Sequence, residues 1–136
     1  MKVIIALECE GTPVSIDKEI KGVGYFIRQN PGAERYGHVK IIIEPSNSKS
    51  SHNWFSWEVS EETIPLDLFD MVLEGIKSFL REISDSSEKY LWESQIRVVG
   101  GSYHPVDSSP KAYFVAGRLA IKDALLNAGI IDEERT

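Results

Sequence analysis

Hydrophobic and polar positions alternate with period two over two neighbouring stretches in the first third of the chain. In residues 20–29, Val23, Tyr25 and Ile27 alternate with Gly22, Gly24, Phe26 and Arg28; in residues 36–44, Val39, Ile41 and Ile43 alternate with His38, Lys40 and Ile42. That period sends successive side chains to opposite faces of a strand. Asn30-Pro31-Gly32 between the two stretches is turn chemistry, so the pair reads as a long hairpin with its loop over residues 30–35. Ahead of it, an apolar run in residues 2–8 predicts a first strand, Gly11-Thr12-Pro13 a turn, and residues 14–19 a polar connection. After it, a serine-rich stretch over residues 45–53 reads as a surface loop, and residues 54–59 as a short strand.

The period then lengthens. Leu68, Phe69, Val72, Ile76, Phe79 and Leu80 share one helical face, while Asp67, Asp70, Glu74, Lys77 and Arg81 fall mostly elsewhere, predicting a helix over 65–83 that opens on Pro65. Residues 84–89 are a hydrophilic connector. A last strand carries Ile96, Val98 and Val99 beside Arg97 and is expected to break at Gly100-Gly101, where glycine admits a positive φ at no steric cost. A polar loop leads to a strong helix start: Asp107, Ser108 and Ser109 are N-cap types and Pro110 suits the first turn. Phe114, Val115, Leu119, Ile121, Ala124, Leu125 and Ala128 continue as a broad apolar stripe, Gly129 supplies a stop, and residues 130–136 are expected to fray. The order β-β-β-β-α-β-α is an α+β class fold: a two-layer β-sheet with two helices, most simply on one face.

Composition narrows the possibilities. A chain of 136 residues, 42% hydrophobic and 26% charged, fits a single globular domain over residues 1–136. The first apolar run is too short for a signal-peptide core or a membrane span, so no membrane partner and a cytoplasmic location are expected. One cysteine, Cys9, excludes an internal disulfide framework and a cysteine-based zinc site. A net charge of −6 argues against broad, sequence-independent nucleic-acid binding. Any RNA contact has to be local.

Enzyme signatures are scarce. No phosphate loop of the Gly-x-x-x-x-Gly-Lys-[Ser/Thr] kind is present, and Gly22-Val23-Gly24 lies inside a strand, where it reads as close packing or a bulge and not a dinucleotide fingerprint. His38, His52 and His104 show no metal-ligand spacing, so no metal and no cofactor are expected. His38 reads as structural or half-exposed and His52 as incidental. His104 with Asp107 and Ser102, Ser108 or Ser109 has the groups of a Ser/His/Asp hydrolase, but within one short loop each lacks its own scaffold support. The serines have a simpler role as caps. Trp54, Trp57 and Trp92 read as packing aromatics ahead of a base-stacking platform.

Two separated motifs carry a family resemblance. Gly101-Ser102-Tyr103-His104-x-Val106-Asp107-Ser108-Ser109, followed by Ala116-Gly117-x-x-Ala120-Ile121-Lys122-Asp123-Ala124, resembles domain IV of bacterial translation elongation factor G. Phe26-Ile27-Arg28-Gln29-x-x-Gly32-x-x-x-Tyr36-Gly37-His38-Val39-x-Ile41-x-x-Glu44-Pro45 is similar to the strand–loop–strand motif of the same family, and Ile64-Pro65 with Val72-x-x-Gly75-Ile76 to its first helix. The likeness runs from about Ile20 to Gly129. It implies a three- or four-stranded sheet backed by two helices with a left-handed βαβ crossover, against the general right-handed rule. It also implies that loops 30–35 and 102–109 meet at one tip. In elongation factor G that tip enters the decoding centre of the small ribosomal subunit and contacts the mRNA–tRNA duplex, with the histidine matched by His104 at its extremity.

The resemblance thus implies a stand-alone, non-enzymatic ribosome- or RNA-associated module, with Gln29, Gly32, Arg35, Ser102, Tyr103, His104 and Ser108 as contact residues and the small-subunit decoding centre (rRNA, mRNA–tRNA) as partner. Imidazole and hydroxyls suit phosphates and 2′-hydroxyls, and Tyr103 can pack or stack. The sequence also departs from the pattern. Where the family shows Gly-Gly-Arg-Gly-Gln, this chain reads Pro31-Gly32-Ala33-Glu34-Arg35, and Pro105 and Pro110 stand where the family has acidic residues. Pro105 biases His104 towards extended backbone. The alternative is a protein–protein module, or a subunit of a split factor whose partner supplies the missing domains. Arg28, Arg35, Arg97 and Lys111 gathered around His104 would favour RNA; Glu34 and Asp107 dominating there would favour protein.

Overall fold

A computed structural model describes residues 2–5, 11–28, 35–46 and 53–132. Its elements run β1 (Lys2–Ile5), β2 (Thr12–Ser15), β3 (Ile20–Arg28), β4 (Arg35–Pro45), β5 (Asn53–Trp57), a 3-10 turn (Leu66–Leu68), α1 (Phe69–Ser87), β6 (Lys89–Trp92), β7 (Ser94–Ser102) and α2 (Pro110–Asn127). Five strands form one sheet in the order β1-β5-β7-β4-β3, and β2 pairs with β6 in a separate two-stranded ribbon. β3 and β4 are the antiparallel hairpin that alternation predicts, in register from Ile20 opposite Ile43 to Arg28 opposite Arg35. β5 and β7 lie parallel, with α1 in the connection between them, which is the βαβ crossover the resemblance implies. The strand count departs from three or four because β1 adds an edge strand antiparallel to β5.

One face of the sheet supplies the core. Val39, Ile41 and Ile43 of β4, Ile96 and Val98 of β7 and Phe55 of β5 are all buried, and Val72, Ile76 and Phe79 of α1 and Ile121 and Leu125 of α2 pack among them. Helix α2 lies unusually close to the sheet. A Cβ added to Gly37, Gly24 or Gly22 would strike the carbonyl oxygen of Ala112, Ala116 or Ala120, so the Gly22-Val23-Gly24 stretch is close-packed as expected. Gly75 and Gly117 bring α1 and α2 together in the same way, against the Phe114 and Val72 carbonyls. Both helices lie on this side, and among the described residues no helix covers the opposite face of the sheet.

Three segments differ from the sequence-based expectation. Residues 12–15, read as turn and polar connection, pair in parallel with residues 89–92, which begin on the last residue of the expected connector, from Thr12 opposite Lys89 to Ser15 opposite Trp92. Buried Leu91 anchors that ribbon to the core. Helix α1 runs one turn past Ile83, because Ser84 is itself buried, and it stops where Glu88 turns left-handed at φ 55° and donates its N–H to the Ser84 carbonyl. β7 does not break at Gly100-Gly101. Its ladder to β4 shifts by one residue after Val98, leaving Val99 unpaired as a bulge, and pairing resumes through Gly101 to Ser102.

Candidate functional site

The end of the sheet at which β3 finishes and β4 begins also receives the end of β7, where Ser102 pairs with His38. Residues 103–109 leave β7 there, touch back on β4 through a bridge between Tyr36 and Ser108, and enter α2. Ser109 is the N-cap: its backbone is extended, and its side chain accepts the Ala112 N–H at 3.2 Å, with Pro110 in the first turn as predicted. The α2 end of the loop is therefore fixed by local chemistry already legible in the sequence, and its other end by the continued pairing of β7 with β4.

Between those ends a set of hydroxyls ties the loop to the sheet. The Tyr113 hydroxyl, on a fully buried ring, donates to the Ser102 carbonyl at 2.5 Å. With that proton committed, Ser108 Oγ, 3.2 Å away, is the donor to the Tyr113 oxygen. Ser108 Oγ in turn accepts the His104 backbone N–H at 2.9 Å, and the Ser108 N–H donates to the His104 carbonyl at 2.8 Å. Ser102 Oγ bridges the Tyr36 hydroxyl at 2.5 Å and His38 Nδ1 at 2.8 Å, with donor roles set by the His38 tautomer. The His104 ring packs edge-on against Tyr36 with centroids 4.2 Å apart. His104 is thus an exposed imidazole on a loop held by two tyrosines and two serines.

Electrostatics sharpen this picture. Burial and, secondarily, the Lys40 cation push the His38 pKa down, favouring its neutral form as Ser102's partner. Burial raises the Tyr113 pKa, keeping its hydroxyl protonated. Ser108 spends its hydroxyl on the His104 backbone and the Tyr113 oxygen, while the His104 imidazole meets Tyr36, so these groups form a scaffold and not an aligned Ser/His/Asp triad. Among the described residues no group of three His, Cys, Asp or Glu side chains can hold a metal ion, and no helix is long and apolar enough to cross a membrane.

The predicted contact residues separate into groups. Ser102, His104 and Ser108 converge, and Arg35 lies at the same end of the sheet, opposite Arg28. Tyr103 is half-buried and packs against the core instead of projecting from the tip. Gln29 and Gly32, together with Ala33 and Glu34, lie outside the described residues. Of the four cations weighed for the tip, Arg28, Arg35 and Lys111 stand at that end, with Lys111 in the first turn of α2 directly after the loop. Arg97 does not. It sits in mid-strand beside Ile42 and Ser56 and grips Glu58 through Nε at 2.7 Å and Nη2 at 2.9 Å, with Glu44 at 3.5 Å. Sequence reasoning missed Tyr36, His38 and Tyr113 as parts of the site. Tyr36 and His38 were signalled by their place in the strand–loop–strand motif and by standing two apart on one strand face, Tyr113 only by its position four residues past the N-cap.

This geometry can be set beside known proteins. A family model described as elongation factor G, domain IV, matches residues 13–129. The chain belongs to the elongation factor G domain IV family. A crystal structure of a protein from Thermus thermophilus is similar at a TM-score of 0.69 and 29% identity, covering 83% of this chain and 16% of that one. The chain therefore spans about a sixth of the length of that relative. The domain IV match begins at Pro13, so β1 lies outside it. Without β1 the sheet has four strands, within the number the resemblance implied. Domain IV of elongation factor G is a non-catalytic domain, and this chain is a translation-factor-like module.

Proposed function

We propose that this domain is a non-enzymatic binding module that docks on the small ribosomal subunit at its decoding centre through the tip formed by residues 102–109 and the β3–β4 turn. One observation carries the reading. His104 is exposed, yet its backbone is locked through Ser108 and Tyr113 to the end of β7 and its ring rests on Tyr36. An imidazole fixed in this way loses little conformational freedom on meeting a phosphate or a 2′-hydroxyl, which is what preorganisation contributes to affinity. Arg28, Arg35 and Lys111 supply local positive charge on a chain that is acidic overall. Gln29 and Gly32 complete the proposed contact set from the β3–β4 turn, Tyr103 supports it from the core side, and a cytoplasmic location follows from the same reading.

The test is co-sedimentation with purified small ribosomal subunits at moderate and raised salt, comparing wild type with the His104→Ala, Arg35→Ala double variant. Salt-sensitive binding lost in the double variant is the expected result. A folded wild-type protein that stays in the supernatant would refute it. A second reading, docking on a protein partner that supplies other factor domains, is favoured by the net charge of −6 and by the engagement of Arg97 away from the tip. That reading takes over if subunit binding fails and a pull-down retains a protein.

A further inference from the structure

The uncovered face of the sheet is not uniform. On its β5–β7 side, the Arg97 cation is neutralised by Glu58 and Glu44. On its β3–β4 side, Val23, Tyr25 and Ile27 stand in a row at 44%, 52% and 41% exposure, opposite Lys40, His38 and Tyr36 in the ladder. Tyr25 meets His38 and Tyr36 edge-on at 5.0 and 5.8 Å, and Tyr36 meets His104 at 4.2 Å, so a line of rings runs from the open face to the tip. Lys21 and Lys40 on this face, and Arg28 at the end of β3, are exposed and make no ion pair among the described residues. Asp123 of α2, at the same edge, is held on the Val23 N–H at 2.8 Å, and Asn127 caps the Lys21 carbonyl at 2.9 Å, which closes that half of the edge to another strand.

We propose that the open β3–β4 face is a second contact surface, one that takes single-stranded RNA emerging from the tip, with a base stacked on Tyr25 and phosphates near Lys21, Lys40 and Arg28. The choice of RNA rests on the tip reading above. The face itself supports it: an exposed ring between two apolar side chains suits a planar base, and the adjoining cations suit its backbone, whereas an acidic peptide would use the cations alone. A duplex cannot present an unstacked base to Tyr25, so single strands are preferred.

The experiment is fluorescence anisotropy with a labelled single-stranded RNA oligonucleotide, run beside the subunit co-sedimentation and with circular dichroism to establish folding. Tyr25→Ala weakens oligonucleotide binding at least about five-fold, while Tyr25→Phe, which keeps the ring, retains it. Lys40→Ala reduces the slope of log affinity against log salt by about 0.7, the contribution of one phosphate contact on a single strand. His104→Ala costs subunit binding more than oligonucleotide binding, and Tyr25→Ala the reverse, because the stacked base rests on Tyr25 and not on the imidazole. No oligonucleotide binding by folded wild type, an unchanged affinity in Tyr25→Ala, equal affinity for a duplex, or equally effective competition by a poly-glutamate peptide each overturns the proposal. Oligonucleotide binding that survives when subunit binding fails overturns the tip reading alone.

Discussion

Replacing Tyr113 with Phe tests whether the hydroxyl network holds the His104 loop. The ring is fully buried and fills the same space as phenylalanine, so packing is preserved and only the oxygen is lost. Two groups lose a partner: the Ser102 carbonyl, which accepts from the tyrosine at 2.5 Å, and Ser108 Oγ, 3.2 Å away. A lost hydrogen bond costs about 1 kcal/mol net, and an acceptor left unpaired in the interior about 1–3 kcal/mol. Ser102 and Ser108 are half-buried, so water compensates in part and about 1.5 kcal/mol is the expected loss. With an unfolding entropy of about 2.1 cal/mol/K per residue, a chain of 136 residues then loses about 5 °C in Tm. Calorimetry or thermal circular dichroism reads this directly. Amide exchange at His104, whose N–H bonds to Ser108, should accelerate in the same variant. Val106→Ala is the control within the same loop: Val106 is 90% exposed, so its Tm should stay within about 1 °C of wild type. A Tyr113→Phe Tm within about 2 °C of wild type, with unchanged exchange at His104, would mean the loop is held by its ends and not by this network.

Two further perturbations probe the scaffold. Gly24→Ala places a methyl on the Ala116 carbonyl oxygen and 2.7 Å from the Ala120 nitrogen, so α2 must lift off β3. At about 3 kcal/mol of overpacking, the Tm falls by about 10 °C. In Gly100→Ala the methyl meets only the movable stem of Lys40, at 3.3–3.7 Å, and the loss is small; equal Tm changes in the two variants would refute the close-packing account. Arg97's hydrogen bonds lower the Glu58 pKa from 4.5 to about 2. A carboxylate depressed on folding stabilises above its unfolded value, and that contribution is lost as pH falls from about 4.5 to about 2. The Glu58 side chain is 37% exposed, so solvent screening leaves about 1 kcal/mol. Urea unfolding across that range should show wild type losing about 1 kcal/mol more than Glu58→Gln, and parallel curves would refute the assignment.

What the sequence made legible follows from how long and how local each signal is. The β3–β4 hairpin alternates over enough residues to fix both its strands, although on β3 the apolar row Val23, Tyr25 and Ile27 is exposed because Gly22 and Gly24 are what α2 packs against. The start of α2 is written in Ser109 and Pro110, which act on the backbone beside them. The β2–β6 ribbon is four residues wide and parallel, and its partners stand far apart in the chain, so neither periodicity nor turn chemistry announces it. The last turn of α1 escaped because its sequence is polar, although at Asp85 and Ser86 polarity marks only an exposed helical side.

The site turned on a subtler feature. Counting by twos from core-facing Val98 places Gly100 and Ser102 on the core side and Tyr103 on the open side. Unpaired Val99 reverses that count. Ser102 emerges on the open face opposite His38, within reach of Tyr36, and Tyr103 turns to pack against the core. Gly101 occupies the core-side position at φ 143°, where a Cβ would collide with the His38 carbonyl and Ile64. A one-residue slip exchanges every face downstream of it, and no pattern in Arg97-Val98-Val99-Gly100-Gly101 says which residue is skipped. The family motif identified the loop, but the bulge decides which of its side chains are offered to a partner: His104 on its Tyr36 platform, with Ser102 beneath it and Tyr103 behind.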